Sequence, residues 1–198
     1  MSISFRTGWL AGCAALLFAG AAHAGPITYI FTGTGTGTLN GAAFSGSFTV
    51  TAVADTSGIT SGGGEFRNVP SSAIFTAGAL TANLSNPLII DNTAPGGFIG
   101  FAEGAAPFPD ESLVNSVFET YGLNTALSST TGTLSVAPAT YATSAGDLDF
   151  TTITELSFQA TVPTSVPEPS SLALLGSGLL AFGVIRRRIV RTSTRLGH

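Results

Sequence analysis

Apolar and polar residues alternate with a period of two through much of the segment between residues 25 and 165. Phe44, Gly46, Phe48, Val50 and Ala52 fall on one face of an extended chain, and Ser45, Ser47, Thr49 and Thr51 fall on the other. A second alternating stretch begins at Leu148 and Phe150 and finishes with Leu156, Phe158, Ala160 and Val162. Shorter β-prone pieces occupy residues 27–31, 72–75, 79–84, 88–90 and 98–101. Turn residues punctuate them at Gly58, Gly62-Gly63-Gly64, Asn86-Pro87, Pro95-Gly96-Gly97 and Ala145-Gly146-Asp147. Many short strands with frequent turns predict an all-β fold, an antiparallel β-sandwich or jelly-roll-like ectodomain. One segment reads differently. Asp110, after Pro109, suits the cap of a short helix over residues 111–117, although Val114, Val117, Phe118 and Tyr121 are also good strand formers. No tandem repeat is evident, which argues against a solenoid.

The two ends break the alternation with continuous apolar runs. Residues 1–24 carry Arg6, then an apolar stretch over 10–22, then Ala22-His23-Ala24 before Gly25. This is the three-part order of a secretory signal peptide, with a small-residue junction between Ala24 and Gly25. Leu10-Ala11-Gly12-Cys13 resembles a lipobox, but most of the apolar run follows Cys13 rather than preceding it. At the other end, residues 172–185 contain no charge and are followed directly by Arg186, Arg187 and Arg188. As a helix rising about 1.5 Å per residue this run covers about 21 Å, short of the ~30 Å hydrocarbon core. The basic cluster predicts a cytoplasmic end under the positive-inside rule. An exported body with a cytoplasmic tail is then self-consistent. The expected organisation is a signal peptide at 1–24, a β ectodomain at 25–162, a linker at 163–169, an anchor with its basic cluster at 170–188, and a cytoplasmic tail at 189–198.

Three features stand in order near the C-terminus: the box Val166-Pro167-Glu168-Pro169-Ser170, the apolar run with Leu172, Leu174, Leu175, Leu179, Leu180, Phe182 and Ile185, and the arginine cluster. Together they resemble the PEP-CTERM sorting signal, a module also labelled in places as the C-terminal domain of ice-binding proteins. The resemblance implies a Gram-negative bacterium that makes exopolysaccharide. It also implies recognition at or near Pro167-Glu168-Pro169 by an exosortase, a membrane-embedded transpeptidase. The segment 189–198 is longer than the few residues that usually follow the arginines. Pro167 and Pro169 fix their own φ and disfavour the α region for Val166 and Glu168, so the box is expected to be extended and suited to a protease cleft.

Composition narrows the chemistry of the body. Of 198 residues, 44% are hydrophobic and 9% charged, which excludes a disordered polyelectrolyte. Cys13 has no partner in the chain, so a disulfide framework is excluded as well. Most of the 14 phenylalanines lie between residues 25 and 165 and are the main core material. That segment holds ten carboxylates against Arg67 alone, a formal charge of −9, and no nucleic-acid partner is expected of it. It also lacks His, Cys, Lys, Trp and Met. The usual zinc sites, Ser-His-Asp and Cys-His arrangements and Schiff-base chemistry therefore cannot be built. Carboxylate pairs remain: Asp110-Glu111, and Asp147 with Asp149. No cofactor is expected. The remaining metal chemistry is a structural calcium ion at Asp147-Leu148-Asp149 or at a loop with Asp91-Asn92, neither of which forms a full EF-hand loop.

Thr32-Gly33-Thr34-Gly35-Thr36-Gly37-Thr38 is a distinct motif. A dinucleotide loop of the G-x-G-x-x-G type fails because position 40 is Asn40. Alternation places Thr32, Thr34, Thr36 and Thr38 on one face, a candidate ligand face, on what reads as an edge strand. The overall expectation is a non-enzymatic, exported surface or matrix protein. Its expected partners are an exosortase, the inner membrane during sorting, and exopolysaccharide. The rivals are a glycan- or ice-binding module and a carboxylate hydrolase.

Overall fold

Asn40 and Gly41, with φ of 50° and 78°, turn the chain back on itself between its two longest early strands, β1 (Pro26–Leu39) and β2 (Ala42–Asp55). Two successive left-handed residues match the right-handed twist of a hairpin, and Leu39 accordingly pairs with Ala42. The computed structural model describes residues 24–85, 88–104, 110–136 and 139–163. The chain divides into two units, one ending at Val162 and one starting at Pro163. The fold described below is that of the first.

After β2 come β3 (Thr60–Gly62), β4 (Glu65–Asn68), β5 (Ser72–Ala77), β6 (Leu80–Asn83), β7 (Leu88–Thr93) and β8 (Phe98–Glu103). They are followed by β9 (Glu111–Val114), β10 (Leu127–Thr131), β11 (Thr133–Val136), β12 (Thr140–Thr143) and β13 (Gly146–Thr161). All pairings are antiparallel and form two sheets. One has the order β10-β13-β1-β2-β5-β6, with β12 also on β13; the other runs β11-β9-β8-β7-β4-β3. The sheets pack through their apolar faces. Phe31 of β1 meets Phe101 of β8 edge to face, with ring centroids 4.9 Å apart, and Phe101 in turn lies 5.5 Å from Tyr141 of β12. Phe48, Phe75, Phe118 and Phe158 are also fully buried. Each such ring contributes about 1.5–3 kcal/mol relative to leaving it in water. This is the expected all-β, antiparallel sandwich.

Three sequence expectations change. The expected helix over 111–117 is instead strand β9 followed by a 3-10 turn at Ser116–Thr120. Glu111 and Leu113 alternate inward while their backbone pairs with β8 on one side and β11 on the other, and the Asn115 side chain caps the turn by accepting from the Val117 N–H at 3.0 Å. Second, β1 is not an edge strand. It is paired along its length with β2 and β13. Third, Val162, expected to finish the second alternating stretch, is exposed and follows the end of β13 at Thr161.

Two β-bulges let β13 follow the shorter β1. The register skips Thr154 between the pairs Thr34–Glu155 and Gly35–Ile153, and skips Thr151 between Thr36–Thr152 and Gly37–Phe150. They explain why the buried positions Phe150, Ile153 and Leu156 are three apart rather than two. On the outer edge of β13, β12 covers residues 146–149 and β10 pairs within 157–160. Among the described residues, 150–156 have no partner strand on that side.

Candidate functional site

Gly33, Gly35 and Gly37 point into the sandwich, so the threonines between them point outward. A methyl group added at Gly33 would sit 2.5 Å from Phe48 Cζ, and one at Gly37 would sit 2.7 Å from Phe44 Cζ. The glycines are therefore a consequence of packing beneath the face. Phe44 and Phe48 fill the space that side chains on β1 would otherwise take.

The four predicted threonines do not behave alike. Thr36 and Thr152 share a hydrogen bond of 2.8 Å, and the Thr34 hydroxyl donates to Glu155 Oε2 at 3.5 Å. Thr38 pairs with Ala43 and Asp149. Thr32 instead sits in a row of side chains supplied by six strands. Thr81 pairs with Thr76, Thr76 with Thr49, Thr49 with Thr32, Thr32 with Ser157, and Ser157 with Thr131. Every member is at least partly exposed. Ser157 Oγ donates to the Thr32 carbonyl at 3.1 Å. The side-chain hydroxyls of the other five make no hydrogen bond among the described residues. Sequence reading found one strand of this face and missed the other five, because register joins residues as distant as 32 and 157. Beside the Thr131 end lies an open groove of about 550 Å³ lined by Thr32, Ser47, Thr131, Thr154, Glu155 and Ser157, among others.

The carboxylate candidates take separate places. Asp147 is exposed on β13, and Asp149 accepts the Thr140 hydroxyl at 2.5 Å. Glu111 points into the core, where the Tyr141 hydroxyl donates to its Oε2. Burial, together with the neighbouring Asp110 charge, pushes the Glu111 carboxyl up to about 9. Asp110 is half-buried just before β9 and is also raised, chiefly by partial burial. The calcium candidate at Asp91-Asn92 is corrected by position, since both residues lie within β7 rather than in a loop. Asp91 is 3.2 Å from Arg67 Nε, and Arg67 also reaches Glu65 at 2.8 Å. Burial and the nearby Glu65 raise Asp91, with Arg67 opposing them. Asn92 Nδ2 donates to the Phe118 carbonyl at 2.9 Å and also to that of Tyr121, which pins the 3-10 turn. Among the described residues no group of three or more His, Cys, Asp or Glu side chains is placed to hold a metal ion.

At the junction expected before Gly25, the Gly25 N–H donates to Thr56 Oγ1 at 2.9 Å and the Gly25 carbonyl accepts from the Thr56 N–H at 3.0 Å. Ala24 is exposed, and the expected signal segment before it, including Ala22, lies outside the described residues. So do the box from Val166 to Ser170, the apolar run from Leu172 to Ile185, Arg186–Arg188 and the tail. Among the described residues no helix is long and apolar enough to cross a membrane.

No curated protein and no solved structure matches the chain. One family model does match, over residues 165–188, and its description is protein sorting; the ice-binding label has no counterpart in it. The chain carries, at its C-terminal end, a PEP-CTERM protein-sorting motif.

Proposed function

We propose that this is a non-enzymatic protein of a Gram-negative cell surface or extracellular matrix, delivered there by an exosortase. The observation that carries the reading is the sorting motif at residues 165–188. In this reading residues 1–24 direct export and 25–162 form the ectodomain. Residues 170–188 hold the chain briefly in the inner membrane, with 189–198 in the cytoplasm. The exosortase then cuts near Pro167-Glu168-Pro169, which frees the body from its anchor. The undersized apolar run suits a temporary tether, because a span well below the hydrocarbon thickness is a weak permanent anchor.

The non-enzymatic part is supported by how the candidate acids are engaged. General acid–base work needs a carboxyl that reaches a substrate. Glu111 is enclosed and bonded to Tyr141, and Asp91 lies buried against Arg67. The exposed Asp147 and the half-buried Asp149 sit on one strand, with Asp149 held by Thr140. A glycosidase instead needs two acids facing each other across a sugar.

Two epitope tags test the sorting. One is placed in the exposed turn at Gly63-Gly64 and one after His198 in the full chain expressed in its host. The body tag is expected at the cell surface or in the medium without the C-terminal tag. Replacing Pro167, Glu168 and Pro169 by Ala is expected to hold both tags together in the inner membrane. Finding both tags together on the surface protein would overturn the proposal.

A further inference from the structure

We propose that the outward face of the seven-stranded sheet is a docking surface for an uncharged, extended polysaccharide, laid along the row Thr81, Thr76, Thr49, Thr32, Ser157 and Thr131. This deepens the envelope reading above, which supplies the setting but none of the geometry. The free hydroxyls come first. Thr34 and Thr36 spend theirs on Glu155 and Thr152, whereas five of the six in this row have no partner among the described residues. A free threonine hydroxyl donates one hydrogen bond and accepts others, so the matching partner must also do both. A lipid chain or an apolar peptide face does neither.

Charge selects among the polar partners. The row contains no ionisable side chain. Glu155 lines the groove at the end of the row, but it pairs with Thr34 and accepts that residue's hydroxyl. The body around the row has a formal charge of −9 over residues 25–165, which repels an acidic polymer. A neutral glycan meets no such penalty and presents hydroxyls of its own.

Spacing then fits an extended chain of sugars. Neighbouring strands stand about 4.8 Å apart, so the row runs for roughly 24 Å and offers one hydroxyl about every pyranose ring. At its Thr131 end it opens into the groove of about 550 Å³, which has room for the end or a branch of such a chain. No aromatic platform lies in the row, so each contact is weak and the affinity comes from repetition along a polymer.

Affinity electrophoresis of the full chain in mild detergent tests this with named probes. Gels are cast with hydroxyethylcellulose, dextran or mannan as neutral polymers, and with alginate as an acidic one. Retardation is expected with at least one neutral polymer and not with alginate. The pair Thr32→Val and Thr49→Val keeps the β-branched shape but removes two hydroxyls, and is expected to weaken retardation at least fivefold. Thr32→Ser with Thr49→Ser is expected to retain it, and Thr60→Val on the other sheet to leave it unchanged. Should the valine pair not fold, Thr49→Val alone is read, with at least a twofold loss expected. The proposal is overturned by no retardation in any neutral gel, by retardation in alginate alone, or by valine variants that run as the parent does. Shaping of ice crystals without glycan retardation would assign the face to ice and overturn it equally. The two-tag fractionation is read separately. A chain sorted but not retarded sinks only the docking surface, and a chain retarded but not sorted sinks only the envelope reading.

Discussion

Glu111 is a carboxyl enclosed between two sheets, with Tyr141 donating to one oxygen and no partner for the other among the described residues. Burial raises it from its ordinary 4.5 to about 9, so the folded chain keeps this proton where the unfolded chain has lost it. Stability attributable to Glu111 is therefore full below about pH 4.5 and declines as pH rises toward about 9. The slope is at most about 1.4 kcal/mol per pH unit. Glu111→Gln keeps an acceptor for Tyr141 and removes the titration. Urea denaturation is expected to show the variant equal to the parent near pH 4.5 and more stable than it at pH 8. A parent whose stability is flat across that window would contradict the assignment. The Tyr29 hydroxyl makes a comparable buried link without a charge, since it donates to the Leu123 carbonyl at 2.8 Å while Asn68 Nδ2 donates to it at 2.9 Å. Burial pushes that phenol up to about 12, so it stays protonated at neutral pH.

Strand β1 shows how an element can be read correctly as a strand and wrongly in its place. Its alternation was legible, because glycine and threonine take turns at every position from Thr32 to Thr38. Its central position was not, because an edge strand and a paired one share the same period and only the partners at β2 and β13 distinguish them. The inward glycines provide the test. Gly35→Ala would drive a methyl group against the Thr152 carbonyl and to 3.4 Å from Phe48, and Gly33→Ala would place one 2.7 Å from the Glu155 carbonyl. Each is expected to cost about 1–3 kcal/mol by overpacking, whereas Thr34→Ala on the outward face costs under about 1 kcal/mol. Chemical denaturation of the three variants checks the order, and equal losses would contradict the inward placement. Other elements were legible to different degrees. The Asn40-Gly41 hairpin carried a plain signal in its two residues that went unused. Strands β10, β11 and β12 carry few apolar side chains besides Leu127, Leu134 and the buried Tyr141, so periodicity had little to register. The row of hydroxyls was out of reach for another reason: it belongs to register between strands and to no single segment.

For the whole molecule, charge and sorting are linked. Five of the seven arginines lie beyond residue 185, while ten of the eleven carboxylates lie between 25 and 165. Removal of the C-terminal end therefore strips most of the basic charge and leaves an acidic body. Isoelectric focusing of the surface form against the full chain is expected to show a clear shift toward lower pH. Coincident bands would mean that the arginines had stayed. The bulges at Thr151 and Thr154 bear on how one molecule can meet another. They lie in the stretch of β13, residues 150–156, whose outer edge lacks a partner strand among the described residues. A flat stretch with free N–H and C=O groups would be a template on which a neighbour could continue the sheet, and a bulged one is not. The two bulges therefore work against a second molecule adding a strand along residues 150–156, and steer any meeting of two copies away from continuous sheet extension.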